Sequence, residues 1–298
     1  MTPVDLGKSH SIAFSAKGDL LAVLSKDLCV WSVPIGKRIL RVHPLSHPCY
    51  ASFSPNNGNL AVKNTSGKIV VISTESGKTI VDFKNDLDGE GSNLVYSSCG
   101  KYVVDGTWAG ALYVRCATSG KTEFVHEFPG EMIYGLKRFM SNNCWCVMHV
   151  PKSVRNHKPL PSYFSIWEWP FRKGKHQVMN KEVPFSRSFA VSPTDDLVAV
   201  VHGSRSQSLS VFNLADGTCA CTVRVHIGGT GSAVAWSSDG RYIGSVQSDM
   251  VVIYEYPRLV EFQRTPLHYA SDVAFAPKAN LVAVGSWKAG CLLPLCGI

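Results

Sequence analysis

The chain has 298 residues, of which 45% are hydrophobic and 17% are charged, and its formal net charge is +8. No stretch approaches the roughly 20 uninterrupted apolar residues that a membrane-spanning helix requires, and the first residues lack the basic and apolar regions of a secretory signal. These features exclude a membrane-spanning helix and favour a cytoplasmic protein. The positive charge favours an acidic partner.

The predicted elements form a repeat. Each copy has an apolar strand, a turn containing Gly, Asp, Asn or Pro, and a second apolar strand. The copies cover 11–24, 51–62, 94–104, a degraded 135–147, 189–200, 233–243 and 272–284. Aligned on the position before the turn, they give Phe14, Phe53, Tyr96, Phe139, Val191, Trp236 and Phe275, with successive gaps of 39, 43, 43, 52, 45 and 39 residues. This is the period of a four-stranded propeller blade, about 40–45 residues.

The rest of each blade follows the second strand. A third strand such as Leu28–Ser32 precedes a turn such as Gly36-Lys37, and a more polar fourth strand follows at 38–42. Short strands with β-branched residues and Gly- or Asp-containing turns predict an all-β fold. The long fourth repeat places an insertion at about 150–162.

Two turns carry a family resemblance. Phe53-Ser-Pro-Asn-Asn-Gly58 and Trp236-Ser-Ser-Asp-Gly240, each followed by an apolar strand, resemble the WD40-repeat β-propeller family. The resemblance covers the whole chain and implies a WD40-like seven-bladed β-propeller of four-stranded blades, as a single domain over 1–298. The usual Trp-Asp is replaced by Trp31-Ser32 or diverges, and Gly-His is missing, so we expect the typical hydrogen-bonded tetrad to be absent. Such a resemblance does not supply a function.

The two ends of the chain complement each other. The last repeat has three strands and no residues for a fourth before Ile298, while an unassigned strand lies at about 2–6. We expect this N-terminal strand to complete the last blade, which closes the ring and removes exposed sheet edges.

The ten cysteines lie mostly in apolar, strand-like segments. We expect reduced thiols in the core. Cys144 with Cys146 and Cys219 with Cys221 form C-x-C pairs, which is poor geometry for a mutual disulfide in a strand. Zinc needs four ligands, and no matching set lies nearby. We therefore expect no metal and no cofactor.

The resemblance places the turns between second and third strands, and the loops between blades, on one face of the ring. Trp and Arg are enriched at interface hot spots, and long ordered loops often carry function. Alternatively, each Trp covers its own blade and the long loop is a tolerated insertion. A second basic cluster at 172–176 is expected on the opposite face. The predicted partner-binding residues are Trp108, Trp287, Arg155, Lys152, Arg205, Arg187 and Tyr134.

No nucleophile elbow, zinc-protease motif or paired-carboxylate signature occurs in the sequence. The histidines that could approach the central channel are His149, His202, His226 and His268. We expect a non-catalytic protein–protein interaction scaffold that acts as an adaptor, inhibitor or neutralising partner, is monomeric by itself and binds an acidic protein. A nucleic-acid-binding propeller and a propeller enzyme with a site in the channel remain as alternatives.

Overall fold

Runs of β-branched and small residues separated by tight turns produce short antiparallel strands. A computed structural model describes residues 2–84, 91–139, 144–152, 161–171, 176–184, 186–203, 207–227 and 233–295. The regular elements in this part of the chain are all β-strands. Consequently, no described segment is a helix of the length and hydropathy needed to cross a bilayer.

Six of the seven sheets contain four antiparallel strands in chain order. Blade one consists of β2 (Ser11–Phe14), β3 (Leu20–Leu24), β4 (Leu28–Ser32) and β5 (Lys37–Val42). Blade two consists of β6 (Pro48–Phe53), β7 (Asn59–Asn64), β8 (Lys68–Ser73) and β9 (Thr79–Lys84). Blade three consists of β10 (Leu94–Tyr96), β11 (Tyr102–Gly106), β12 (Ala111–Cys116) and β13 (Thr122–Glu127). Blade four consists of β14 (Glu131–Arg138), β15 (Cys144–Pro151), β16 (Pro161–Glu168) and β17 (His176–Pro184). Blade five consists of β18 (Ser186–Val191), β19 (Leu197–His202), β20 (Ser208–Asn213) and β21 (Cys219–Arg224). Blade six consists of β22 (Val234–Trp236), β23 (Tyr242–Gln247), β24 (Met250–Glu255) and β25 (Val260–Pro266).

Blade seven combines both ends of the chain. It contains β26 (Ala270–Phe275), β27 (Leu281–Pro294) and β1 (Val4–Ser9), and β1 pairs with the second half of β27. The long β27 folds back on itself, because the N–H of Leu295 donates to the carbonyl of Asn280 at 2.8 Å. The blade therefore has four antiparallel segments. The N-terminal strand completes the last blade as predicted, although it covers 4–9 instead of 2–6.

The repeated serine after the aligned position closes the first turn of the blade. Its Oγ accepts the N–H of the residue five positions later in blades one, two, three and six. The pairs are Ser15–Leu20 at 3.1 Å, Ser54–Asn59 at 2.9 Å, Ser97–Tyr102 at 3.1 Å and Ser237–Tyr242 at 2.8 Å. A side-chain acceptor at this position competes with a continued strand and so favours a turn.

The register of blade four corrects the sequence alignment. Arg138 lies opposite Trp145, as Val191 lies opposite Val198 in blade five. Arg138 is thus the aligned residue, and Phe139 takes the position of the serine. The prediction of Phe139 was wrong by one residue because this repeat lacks the serine that marks the others.

The first strands line the central channel and contact one another around the ring. Side chains of one first strand bond to the backbone of the next, which satisfies polar groups on an otherwise unpaired strand edge. These bonds join Ser52 to Tyr96 (3.0 Å), Asn93 to Leu136 (two of 2.8 Å), Ser188 to Val234 (3.2 Å) and Asp272 to Ile12 (2.9 Å). Apolar side chains fill the space between blades, such as Leu24, Leu60 and Val62 between blades one and two.

A buried ion pair joins blades two and three. The ammonium of Lys63, which is 0% exposed, donates to Asp105 Oδ1 at 2.5 Å, to the Ser92 carbonyl at 2.9 Å and to the Gly106 carbonyl at 3.0 Å. All three N–H groups are used. Gly91 lies against the same site with φ of +69°, and a Cβ there would lie 2.2 Å from the Gly106 carbonyl oxygen, so only glycine fits.

The cysteines depart from expectation. The nine cysteines that the structure describes are all free thiols. Cys146 is buried, Cys99 and Cys219 are exposed, and the other six are partly buried. The expectation that they lie mostly in the core is wrong. Cys219 and Cys221 belong to β21, an outermost strand whose solvent-facing edge no other strand covers.

Candidate partner-binding face

The turns between second and third strands and the loops between blades meet at one end of the ring, here called the upper face. Backbone hydrogen bonds join several of these turns to neighbouring loops or strands. Examples are Trp287 N to Tyr269 O at 3.1 Å, Ile133 N to Thr107 O at 3.1 Å and Lys152 N to Gly130 O at 2.8 Å. The upper face is therefore a set of interlinked turns.

A polar residue occupies the same register position near the end of the second strand in every blade. By register these residues are Ser25, Asn64, Thr107, His149, His202, Gln247 and Ser286. Several hold the turn that follows: Asn64 Oδ1 accepts the N–H of Lys68 at 2.9 Å, and Ser286 Oγ accepts that of Lys288 at 3.0 Å. Side chains carried by these turns are accordingly presented in fixed positions.

Three predicted residues come together on blades three and four. Trp108 is 40% exposed, and its ring centroid lies 6.3 Å from that of the half-buried Tyr134. Lys152 Nζ donates to the carbonyl of Ala109 at 2.7 Å, so the lysine stem crosses the Trp108 turn. We call Trp108, Tyr134 and Lys152 the blade-three patch.

Trp287 forms a separate patch on blade seven. Its indole is 54% exposed on one side and stacks on the other against His10, with centroids 4.8 Å apart. His10 Nε2 donates to the Pro48 carbonyl at 2.8 Å, and burial lowers the pKa of His10. Beside it, Lys288 Nζ lies 4.6 Å from the ring centroid of Tyr269, a cation–π distance. We call His10, Tyr269, Trp287 and Lys288 the blade-seven patch.

Comparison with known proteins agrees with this architecture. No family model matches the sequence. The crystal structure of RRP9 WD40 repeats and the structure of U3-55K each superpose with a TM-score of 0.78 at 12% identity, over 97% of this chain and 94% and 96% of theirs. The chain has the WD40-repeat β-propeller fold. In sequence, 116 residues are 24% identical to Meiotic fizzy-related protein 2 of Schizosaccharomyces pombe (strain 972), covering 39% of this chain and 23% of that protein.

Three hydrogen-bonded polar side chains link the first three strands of blade four. His149 Nδ1 bonds to the Glu131 carboxylate, and the Ser165 hydroxyl donates to His149 Nε2 at 2.6 Å. Burial lowers the pKa of His149, and the charge of Glu131 opposes that shift. The order of groups is that of a hydrolase triad, but Ser165 is fully buried. Blade five repeats the bond between His202 and Ser210 at 2.8 Å, which indicates a structural role.

His149 and His202, two of the histidines that could have approached the channel, each bond to a serine on the third strand of their own blade. His268 lies in the loop between β25 and β26 with its side chain exposed, and its Nδ1 is 3.5 Å from Asp249 Oδ2. The backbone of His226 lies in the loop after β21, where its N–H donates to Gln247 Oε1 at 3.3 Å.

The other predicted partner-binding residues are Arg155, Arg205 and Arg187. Arg155 and Arg205 lie outside the described residues, as does most of the basic cluster at 172–176. Arg187 is the second residue of β18, at its upper end, with its side chain outside the described part. Blades three and seven lie on opposite sides of the ring, so the two tryptophans form two patches rather than one.

Sequence reasoning missed His10, Tyr269 and Lys288. No local pattern marks them, because they meet Trp287 only when the ring closes. Tyr269 carries one detectable oddity, a positive φ of 54°, but this belongs to the folded backbone and has no counterpart in the sequence.

Proposed function

We propose that this propeller is a non-catalytic protein-interaction scaffold whose upper face binds an acidic protein. One observation carries the proposal. Large exposed aromatic side chains in the described part of the chain are Trp108, Tyr269 and Trp287, and all three lie on the upper face. The exposed aliphatic residues lie on outermost strands and on turns at the other end, namely Ile35, Ile39, Ile80, Val125 and Val260.

Preorganisation supports the proposal. The Trp287 ring is held by its stack on His10, while the Tyr269 backbone is held by a 2.9 Å bond from its N–H to Asp249 Oδ1 and its ring lies 4.6 Å from Lys288 Nζ. An aromatic side chain that is already fixed loses little conformational entropy when a partner covers it. Rigid aromatic anchors of this kind are typical of interface hot spots.

Charge supports an acidic partner. Lys26, Lys152 and Lys288 are exposed on turns of blades one, four and seven, and the whole chain carries +8. A partner of opposite charge is steered to such a face, and the on-rate falls as salt increases. We further propose that the ring acts as a cytoplasmic monomer, as an adaptor, inhibitor or neutralising partner.

The non-catalytic assignment has its own support. The one Ser–His–carboxylate chain recognised in the described residues has its hydroxyl on Ser165, which is 0% exposed. No described cluster of three His, Cys, Asp or Glu side chains could hold a metal. A substrate therefore finds no accessible nucleophile at that position.

The test begins with capture of partners by the tagged chain at low and moderate salt, with and without nuclease, followed by reconstitution of each candidate from purified components. Trp287→Ala and Trp108→Ala should weaken a cognate complex by about 30-fold each if they act as hot spots. Ile80→Ala, which truncates an exposed residue of β9, is the matched control and should leave affinity unchanged.

Three results would contradict the proposal. Affinity that is unchanged in both tryptophan variants would remove the upper face from the interface. A loss of affinity in Ile80→Ala alone would move the interface to the outer strands. Capture that disappears with nuclease, with affinity falling steeply with salt, would favour the nucleic-acid-binding alternative.

A further inference from the structure

The two exposed tryptophans, Trp108 and Trp287, occupy the same position of the repeat. Each directly follows the polar residue near the end of the second strand, which is Thr107 in blade three and Ser286 in blade seven. The other five blades have no aromatic residue at this position, which holds Lys26, Thr65, Val150, Gly203 and Ser248. The tryptophan turn therefore occurs twice in the ring, on opposite sides of the channel mouth.

Each indole also packs against the same position of the next blade. The indole of blade three lies against Tyr134 of blade four, and that of blade seven lies against His10 of blade one, with ring centroids 6.3 and 4.8 Å apart. Both rings belong to the residue four positions before the aligned residue of the first strand, which is Arg138 in blade four and Phe14 in blade one. One contact between neighbouring blades is thus made twice.

A lysine lies beside each indole. Lys152 Nζ donates to the carbonyl of Ala109, the residue that follows the blade-three indole, at 2.7 Å. Lys288 itself follows the blade-seven indole, and its Nζ lies 4.6 Å from the centroid of the Tyr269 ring. Both lysines are exposed. An ammonium group has three N–H donors, so each lysine keeps donors for an anion.

The two tryptophan turns therefore offer the same chemistry, and we call them the tryptophan subsites. Each presents an indole with one side open to solvent and an ammonium next to it. An aromatic side chain stacks on an indole, and a carboxylate accepts hydrogen bonds from an ammonium. A short segment with an aromatic residue beside an acidic one satisfies both groups, and the same segment fits both subsites.

We propose that the acidic partner carries two copies of a short acidic–aromatic segment, and that each copy occupies one tryptophan subsite. This inference rests on the proposed function, since it states what the partner presents to the upper face. Once the first copy is bound, the second binds intramolecularly, which raises the affinity of the complex without any new kind of contact.

The first test uses the peptide acetyl-Asp-Phe-Asp-amide, titrated into the full chain labelled with nitrogen-15. The chain has seven tryptophans, and the variants Trp108→Phe and Trp287→Phe identify two of the indole N–H signals in the spectrum. We expect both signals to shift, with dissociation constants of about 1 mM that agree within about threefold. Acetyl-Asn-Phe-Asn-amide, which lacks the carboxylates, should bind at least about tenfold more weakly.

Lysine variants separate the two subsites. Lys152→Met should weaken the peptide-induced shift of the Trp108 signal alone, and Lys288→Met that of the Trp287 signal alone. Lys278→Met is the matched control, because it removes an exposed lysine from the turn between β26 and β27 at the other end of the ring. It should leave both shifts unchanged.

The second test joins two copies of the peptide through flexible Gly-Ser linkers of about 10, 20 and 40 residues, since avidity is greatest when the linker matches the span. At the best length, the tandem peptide should bind at least about tenfold more tightly than the single peptide. Trp108→Ala and Trp287→Ala should each return it to the affinity of the single peptide.

Three results would overturn the inference: a peptide that shifts only one of the two indole signals, a peptide that shifts neither, or a tandem peptide that binds no more tightly than the single copy at any linker length. Failure of the proposed function is measured separately, with the captured partner. A loss of its affinity in the tryptophan variants would keep the scaffold function without the repeated segment, whereas an unchanged affinity would refute the scaffold function itself.

Discussion

The ion pair between blades two and three allows a quantitative test of what holds the ring together. Lys63→Met removes the ammonium and keeps a long apolar side chain in a position that is fully buried. Asp105, which is 1% exposed, then becomes a buried carboxylate without its cation. The Ser92 carbonyl loses the Lys63 donor, whereas the Gly106 carbonyl still accepts the N–H of Ser92 at 3.0 Å.

The magnitude follows from these groups. Removing one member of a buried ion pair costs about 3–5 kcal/mol, because the other charge stays buried and loses its counter-charge. The Ser92 carbonyl that loses its donor adds about 1 kcal/mol, so we expect a loss of about 4–6 kcal/mol. Adding Asp105→Leu removes the remaining charge and should recover about 2–3 kcal/mol of that loss.

The measurement is urea unfolding followed by tryptophan fluorescence, with the free energy of unfolding compared at constant slope. Lys68→Met is the matched control in the next strand, because its 2.6 Å pair with Asp82 is exposed, at 41% and 55% of the two side chains. That pair should contribute no more than about 1 kcal/mol. A loss below about 1 kcal/mol for Lys63→Met, or an equal loss for Lys68→Met, would refute the reasoning.

Three further outcomes are expected. Ser237→Ala should lower the free energy of unfolding by about 1–3 kcal/mol, measured by urea titration, because a buried amide loses its acceptor. Lys137→Met should stabilise the fold at pH 7. Burial lowers the pKa of Lys137 in the folded protein, so above that pKa the unfolded chain binds more protons than the folded one. The stability of the wild type therefore rises with pH, and the stability advantage of the Lys137→Met variant shrinks toward a pH of about 10. Hydrogen bonds, chiefly from Ser119, lower the pKa of Cys116 to about 7. Iodoacetamide at pH 7.5 should therefore label Cys116 well before the buried Cys146, as measured by peptide mass spectrometry. Equal labelling of the two cysteines would contradict this prediction.

Much of the fold could be predicted because its signals are local. A blade is one run of about 40 residues, and its turns depend on side chains that bond to their own backbone, as Ser15 and Ser54 do. The alternation of small and apolar residues identifies strands from neighbouring positions alone. The alignment was wrong by one residue at Phe139, because its repeat has no serine to mark the turn.

The candidate sites could be predicted only in part. Trp108 and Trp287 were recognised because an indole in a polar turn is conspicuous in the sequence. Their surroundings were not, since Trp287 stacks on His10, a residue 277 positions away that arrives only when β1 closes blade seven.

The sequence by itself determined the number of blades, the strands within each blade and the closure by the N-terminal strand, because these depend on periodicity and on turns formed within a few residues. Only the tertiary structure decided which side chains meet between blades. Lys63 with Asp105 and His10 with Trp287 are such pairs. Each depends on the angle at which successive sheets pack around the ring, and no short segment of sequence encodes that angle.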